Sequence, residues 1–164
     1  MKPLKKLYCR IFQNVFKFAL PFLPYRNPEI IGSLKAVPDV LKKKKCESVL
    51  IITDAGIHKL GLTGRLEKAL INSSISYILY DKTVANPTTE NVAEALELYH
   101  ENNCKAIIGF GGGSSMDCAK AVGARAAKPR QSLARMKGIL KVHKKLPLLI
   151  AIPTTAGTGS ETTL

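Results

Sequence analysis

The residues best placed to do chemistry are Gly111-Gly112-Gly113-Ser114, with Asp117 and Lys120 following at helical spacing. Ahead of them stands an apolar run, Ala106-Ile107-Ile108-Gly109-Phe110, of the kind that makes a buried strand; behind them Ser114 to Ala127 reads as a helix. Three consecutive residues without a Cβ let the backbone turn sharply and approach a ligand closely. The unpaired N–H groups in the first turn of the following helix then point at whatever lies there. Helix N-termini attract anions, so a phosphate is the natural occupant. The spacing is not G-x-G-x-x-G, and no G-K-[ST] follows to make a Walker loop. A purely structural alternative is a tight strand-to-helix connection capped by Ser114, with Asp117 completing a capping box. The two readings coexist, because a capped helix start can still bind phosphate. Asp117 would repel a phosphate, so its expected part is to cap or to accept from a ribose hydroxyl.

Elements must carry this turn to a useful place. Ser48 to Thr53 is a continuous β-branched and apolar run, hence a strand buried on both faces, and Asp54-Ala55-Gly56 follows it. Leu62 to Ser73 reads as a helix, Ile75 to Tyr80 as a strand and Asp81 to Asn86 as a turn. Pro87-Thr88-Thr89 starts a helix with Val92, Ala95, Leu96 and Tyr99 inward and Glu90, Glu94 and Glu97 outward. Gly32 to Lys45 looks like an amphipathic helix. Pro147 to Ile152 is a fourth buried strand, ending in the hydroxyl- and glycine-rich loop Pro153 to Thr163. Alternating strands and helices of this kind predict an α/β fold, doubly wound around a mainly parallel sheet. Ligands of such sheets sit beyond the carboxyl ends of the strands. The three unusual segments, Asp54 to Gly56, the glycine turn and Thr154 to Thr163, all follow such ends.

The 164 residues suit one core large enough to hold without staples, and 46% hydrophobic content is that of a globular chain. The net charge of +13 is uneven: residues 1–45 hold 11 Lys+Arg against 2 Asp+Glu, leaving 14 against 10 for the rest. Lys120 to Lys145 holds nine Lys+Arg and no acid, and reads as a basic surface connection. Lys42 to Lys45 suits the negative end of a helix dipole and lacks the interleaved aromatics of a nucleic-acid patch, so no nucleic-acid partner is expected. Cys9, Cys46, Cys104 and Cys118 show no C-x-x-C pairing, which predicts reduced thiols and a cytoplasmic protein. Residues 1–25 are basic and apolar at helical spacing, without the clean core of a signal peptide or membrane span. They are expected to pack on their own domain in preference to a membrane surface.

Taken together, Ile52-Thr53-Asp54, Asn86-Pro87-Thr88, Gly111-Gly112-Gly113-Ser114-x-x-Asp117-x-x-Lys120 and Pro153-Thr154-Thr155-Ala156-Gly157-Thr158-Gly159-Ser160-Glu161 closely resemble the N-terminal half of the iron-containing (group III) alcohol dehydrogenases. The resemblance runs from about Glu29 to Leu164. It implies an N-terminal segment, 1–28, and a Rossmann-like dinucleotide-binding domain, 29–164, incomplete at its C-terminus and lacking the family's helical metal domain. By the same resemblance Asp54 meets the adenosine ribose and disfavours the 2′-phosphate of NADP, making NAD the expected cofactor. Asn86 lies near the nicotinamide half. Gly111, Gly112, Gly113 and Ser114 hold the pyrophosphate, Asp117 supports that turn, and Thr154, Thr155, Thr158 and Thr163 line the cofactor. The alternatives are a helix cap for Asp54, a turn-fixing residue for Asn86 and a polar loop for the threonines.

The family's divalent iron, replaced by zinc in related enzymes, is held by an Asp and three His that lie beyond Glu161. His58, His100 and His143 match none of them, so the chain is expected to be a fragment or truncated product with no catalytic base or metal ligand of its own. For the complete protein the resemblance implies hydride transfer between an alcohol/aldehyde pair and the nicotinamide. There the metal acts as Lewis acid on the alcohol oxygen. The alternative is a truncated, non-catalytic nucleotide-binding module. The particular alcohol is unreadable, and a homo-oligomer is left open.

Overall fold

The computed structural model describes residues 10, 11, 13–15, 17, 18, 28–136, 141, 142 and 144–161. The chain divides into two compact units, Met1–Ile30 and Ile31–Leu164. In the first, residues 10, 11, 13–15, 17 and 18 are helical. The second holds a four-stranded, all-parallel sheet in the order β2-β1-β3-β4, where β1 is Ser48–Ile52, β2 Ser76–Tyr80, β3 Ala106–Gly111 and β4 Leu148–Pro153. The helices are α1 (Val37–Lys43), α2 (Ala55–Lys59), α3 (Gly64–Asn72), α4 (Thr89–Glu101), α5 (Gly113–Ala127) and α6 (Leu133–Met136).

All four expected strands are present, and the differences lie at helix ends. The stretch from Gly32 is not one helix: a 3-10 turn, Leu34–Ala36, leads into α1, whose first turn contains Pro38. Proline has no N–H to give and its ring crowds the preceding turn, so an α-helix starts there and cannot run back through it. Residues 60–63 form turns ahead of α3, with Gly61 at φ +66°. Asp54 opens a short helix of its own, α2, which the periodicity of so brief a segment could not reveal. Inside the basic connection, Leu133–Met136 makes one helical turn, with Met136 buried.

Continuous apolar strands bury both faces of the sheet. Val49, Ile51, Ile108 and Phe110 pack with Val37 and Leu41 of α1 and Leu66 and Leu70 of α3. Leu50, Ile52 and Ile107 pack on the other face with Val92 and Ala95 of α4 and Cys118, Ala119 and Val122 of α5. Each fully buried Leu or Ile of this kind stabilises the fold by about 1.5–3 kcal/mol. Cys46, Cys104 and Cys118 are buried free thiols. Burial pushes all three up, Cys118 to about 11, so they stay protonated and inert. Cys9 lies outside the described residues.

This layering fixes where a ligand can sit. The chain leaves β1 toward β2 through α3 on one face, and leaves β3 toward β4 through α5 on the other. β1 and β3 are neighbours, so the two connections part on opposite sides and leave a crevice above their carboxyl ends. Asp54 stands on one side of that crevice and the glycine turn on the other.

The outer wall of β2 contains a pH-sensitive group. Tyr80, 2% exposed, donates its hydroxyl to Glu94 Oε2 at 3.1 Å and accepts from Asn91 Nδ2 at 3.0 Å. Burial raises the phenol to about 12, with Glu94 adding to the rise and Asn91 opposing it. An unfolded tyrosine ionises near pH 10. The stabilisation is therefore complete below pH 10 and lost as pH rises toward 12, by up to about 2–3 kcal/mol. Urea unfolding at pH 9 and pH 11 should show this loss, and Tyr80→Phe should flatten it.

Candidate functional site

The crevice is built from segments that touch one another. β3 ends at Gly111, whose φ of +141° is closed to side chains, and whose carbonyl accepts the Thr154 N–H at 2.9 Å. That hydrogen bond extends the β3–β4 ladder past the strand and sets the start of the threonine loop beside the glycine turn. Gly112, in extended conformation, is the N-cap of α5 and gives no side-chain cap. Met116 N–H is the first in the helix to find its acceptor, Gly112 O at 3.3 Å. The amides of Gly113, Ser114 and Ser115 meet no acceptor among the described residues.

Ser114 therefore does not cap its own helix, and no capping box with Asp117 forms. The helix starts one residue earlier than its sequence suggests, because Gly112 adopts the N-cap backbone and leaves the first-turn donors open. Ser114 Oγ instead accepts the Asn86 N–H at 3.4 Å. Asn86 holds a left-handed φ of +57°, the turn-fixing part its place before Pro87 suggested. Asp117 is exposed and lies one turn into α5, close enough for its charge to bear on Lys120. Burial pushes the Lys120 ammonium down, while Asp117 and Glu161 pull it back up.

The threonine loop lies over the turn. A Cβ placed on Gly113 would stand 3.1 Å from Ser160 Oγ and 3.4 Å from Thr158 Cβ, whereas one on Gly112 would meet only Thr155 Oγ1 at 3.5 Å. Gly113 is bare so that the loop can close on it; Gly112 is the glycine that borders open space. Thr158 Oγ1 donates to Glu161 Oε2 at 3.1 Å, and Ser160, buried beneath the loop, donates its N–H to Thr158 Oγ1 at 3.4 Å. Thr154, Thr155 and Thr158 are exposed on the loop, and Thr163 lies outside the described residues.

Across the crevice, Asp54 is the helix cap that the structural alternative expected. Its Oδ1 accepts the Ile57 N–H at 3.0 Å and caps α2. Its Oδ2 takes no hydrogen bond from a described residue and lies 3.4 Å from where a Gly111 Cβ would be. One oxygen is thus committed to the fold and the other faces the turn. Ser115, 1% exposed, has a hydroxyl with no partner among the described residues and stands under Gly111. Open amides, a buried orphan hydroxyl and a half-free carboxylate meet at one rim, a donor-rich seat for an anion with an acceptor beside it.

Sequence reasoning missed Asn91. It is buried on α4, donates to Tyr80 Oη and to Lys82 O at 3.1 Å, and accepts from Thr88 N–H at 3.2 Å and Val84 N–H at 3.5 Å. One side chain pins the whole turn that carries Asn86. The detectable signal was Thr88-x-x-Asn91, a capping box with Asn in place of the usual Glu. A surface hollow of about 250 Å³ along β2 and α4 is lined by Asp81, Glu94, Glu97 and Glu101; it lies away from the glycine turn and would repel an anion.

No group of three or more His, Cys, Asp or Glu among the described residues could hold a metal ion. His58 Nδ1 contacts Asp81 Oδ2 at 2.5 Å, His100 packs edge-on against Tyr99, and His143 lies outside the described residues. Among the described residues the rim offers a donor-rich seat for an anion and no cluster of metal ligands. Among the described residues no helix is long and apolar enough to cross a membrane.

A parallel sheet whose glycine turn and strand-end acid flank its switch point is a Rossmann-like α/β architecture. The sequence profile of the iron-containing alcohol dehydrogenases matches residues 30–164, and the chain belongs to that family. It is 37% identical over 135 residues to choline dehydrogenase of Bacillus subtilis, covering 81% of this chain and 34% of that protein. It is 36% identical over 142 residues to the NAD-dependent methanol dehydrogenase of Bacillus methanolicus, covering 87% of this chain and 37% of the relative. Its fold superposes on 1,3-propanediol oxidoreductase with a TM-score of 0.75 at 30% identity, over 79% of this chain and 34% of that one. The chain thus spans about a third of the length of the proteins it matches.

Proposed function

We propose that this chain forms the cofactor-binding part of a metal-dependent alcohol dehydrogenase that moves hydride between an alcohol/aldehyde pair and NAD. The observation that carries the reading is the set of open α5 amides at Gly113, Ser114 and Ser115, facing the bare backbone of Gly112 and the free Oδ2 of Asp54. A diphosphate resting on these amides places its negative charge at the positive end of a helix dipole. Asp54 Oδ2 then accepts from a ribose hydroxyl and repels a 2′-phosphate, which favours NAD over NADP. Asn86 borders the nicotinamide half, and Thr154, Thr155 and Thr158 wall the cofactor from the β4 side. Asp117, exposed one turn into α5, supports the glycine turn and adds its charge to the field at Lys120. When bound, the nicotinamide supplies the hydride chemistry; these residues bind it, orient it and shed water from it. The described residues provide no group of metal ligands, so the reading is tested on the full-length polypeptide.

Two measurements on that full-length polypeptide test the reading. With Fe²⁺ present, NADH should be oxidised by at least one member of a broad aldehyde panel, and silence across the panel counts against the enzyme. In calorimetry, Asp54→Asn should narrow the preference for NAD⁺ over NADP⁺ by about tenfold, the size of one lost charge contact. An unchanged preference removes Asp54 from cofactor choice. NAD⁺ binding without any turnover would favour the second reading, a nucleotide-binding module without catalysis, which the lack of a metal-ligand group among the described residues supports.

A further inference from the structure

The opposite end of the sheet holds much of the chain's unbalanced charge. Three neighbouring strands, β1, β3 and β4, are each entered through exposed lysine: Lys42 to Lys45 close α1 ahead of β1, Lys105 precedes β3, and Lys144-Lys145 precede β4. The register aligns Val49 with Ala106 and Ala106 with Leu148, and the Lys105 N–H is bonded to Ser48 O at 2.8 Å, so these entries are level with one another. Adjacent strands lie about 4.8 Å apart, which puts the three entries within about 10 Å. None of these lysines is in an ion pair with a described residue. Glu47 and Glu101 are the acids in the same turns, and residues 128–145 hold none. Cations gathered this closely repel one another, and an anionic partner relieves that repulsion.

We propose that this edge docks on an anionic lipid bilayer. The side chains at the strand entries are lysines, compact point charges that suit a diffuse negative field, not arginines with the forked geometry that grips single phosphates. No Phe, Tyr or Trp occurs in residues 42–47, 101–105 or 128–145, so the stacking platform of a nucleic-acid surface is missing. Ile71, at the C-terminal end of α3 and 60% exposed, and Leu146, beside Lys144-Lys145 and 38% exposed, are apolar side chains at the same end of the sheet. A bilayer interface buries such groups between the lipid headgroups, and a nucleic-acid backbone gains nothing from them. Docking through this end leaves the glycine turn, at the other end of the strands, facing away from the lipid.

Co-sedimentation of the full-length polypeptide tests this, using vesicles of phosphatidylcholine alone and vesicles containing about 30% phosphatidylserine. Binding is expected to the anionic vesicles only, and to weaken as salt is added. A Lys105→Gln, Lys144→Gln, Lys145→Gln triple variant, with an unchanged melting temperature as its folding control, should bind about a hundredfold more weakly, about fivefold per lysine. Failure to bind anionic vesicles, equal binding to neutral ones, undiminished binding by the triple variant, or capture by duplex DNA with none by vesicles would each overturn the proposal.

Discussion

Replacing Gly112 by Val in the full-length polypeptide should weaken NAD⁺ binding by about a hundredfold or more while leaving the fold in place. A Cβ at Gly112 has room, its nearest neighbour being Thr155 Oγ1 at 3.5 Å, and the backbone at φ −79° and ψ −174° suits any residue. The added methyl groups instead occupy the space in front of the α5 amides. Hydrogen bonds to a charged group contribute about 1.5–3 kcal/mol each, so losing two of them costs at least about 3 kcal/mol, or two decades in affinity. The melting temperature should fall by only a few degrees, since a poorer N-cap costs about 1 kcal/mol. Calorimetry and thermal unfolding on the same preparation decide the matter: NAD⁺ affinity left intact would mean that no diphosphate rests there.

Its neighbour should behave in the opposite way. Gly111→Ala forces a side chain onto a residue at φ +141° and drives its Cβ to 2.8 Å from Ser115 Oγ and 3.2 Å from Ser115 Cβ. Backbone strain of this kind costs about 1–3 kcal/mol, and overpacking adds about as much again. The melting temperature should fall by about 10 °C. Adding Ser115→Ala removes the closest overlap and should recover part of the loss, leaving the part that belongs to the backbone. If Gly111→Ala melts like the wild type, the positive φ of that residue is wrong, and with it the geometry of the turn.

The strands were legible because each is a continuous apolar run between turn residues, and burial on both faces demands nothing subtler. Long-range pairing is different. That β1 sits between β2 and β3 depends on contacts between residues far apart in sequence, and no local pattern encodes it. The glycine turn was readable as a strand-to-helix connection, yet its details were not. Ser114 follows the rule for a cap, but β3 runs on through Gly111 and hands the cap to Gly112, so the serine is free to hold Asn86. Asp54 shows why two readings of one residue need not compete: a carboxylate has two oxygens, and only one is needed to cap α2. Asn91 escaped notice because a polar residue on a helix normally faces water, and only the folded chain reveals that it carries the turn before it.

The clasp between Gly111 O and Thr154 N–H has a bearing on how this chain can vary. It fastens both ends of the long excursion that α5 begins and β4 completes, so the rim's shape is fixed where the excursion starts and finishes, not along its length. Closing a flexible segment grows dearer only logarithmically, about 0.6 kcal/mol for each doubling in length. Insertions at the exposed Pro129-Arg130 turn are therefore thermodynamically cheap, and they can be accepted without retuning the seat at the other end of the strands.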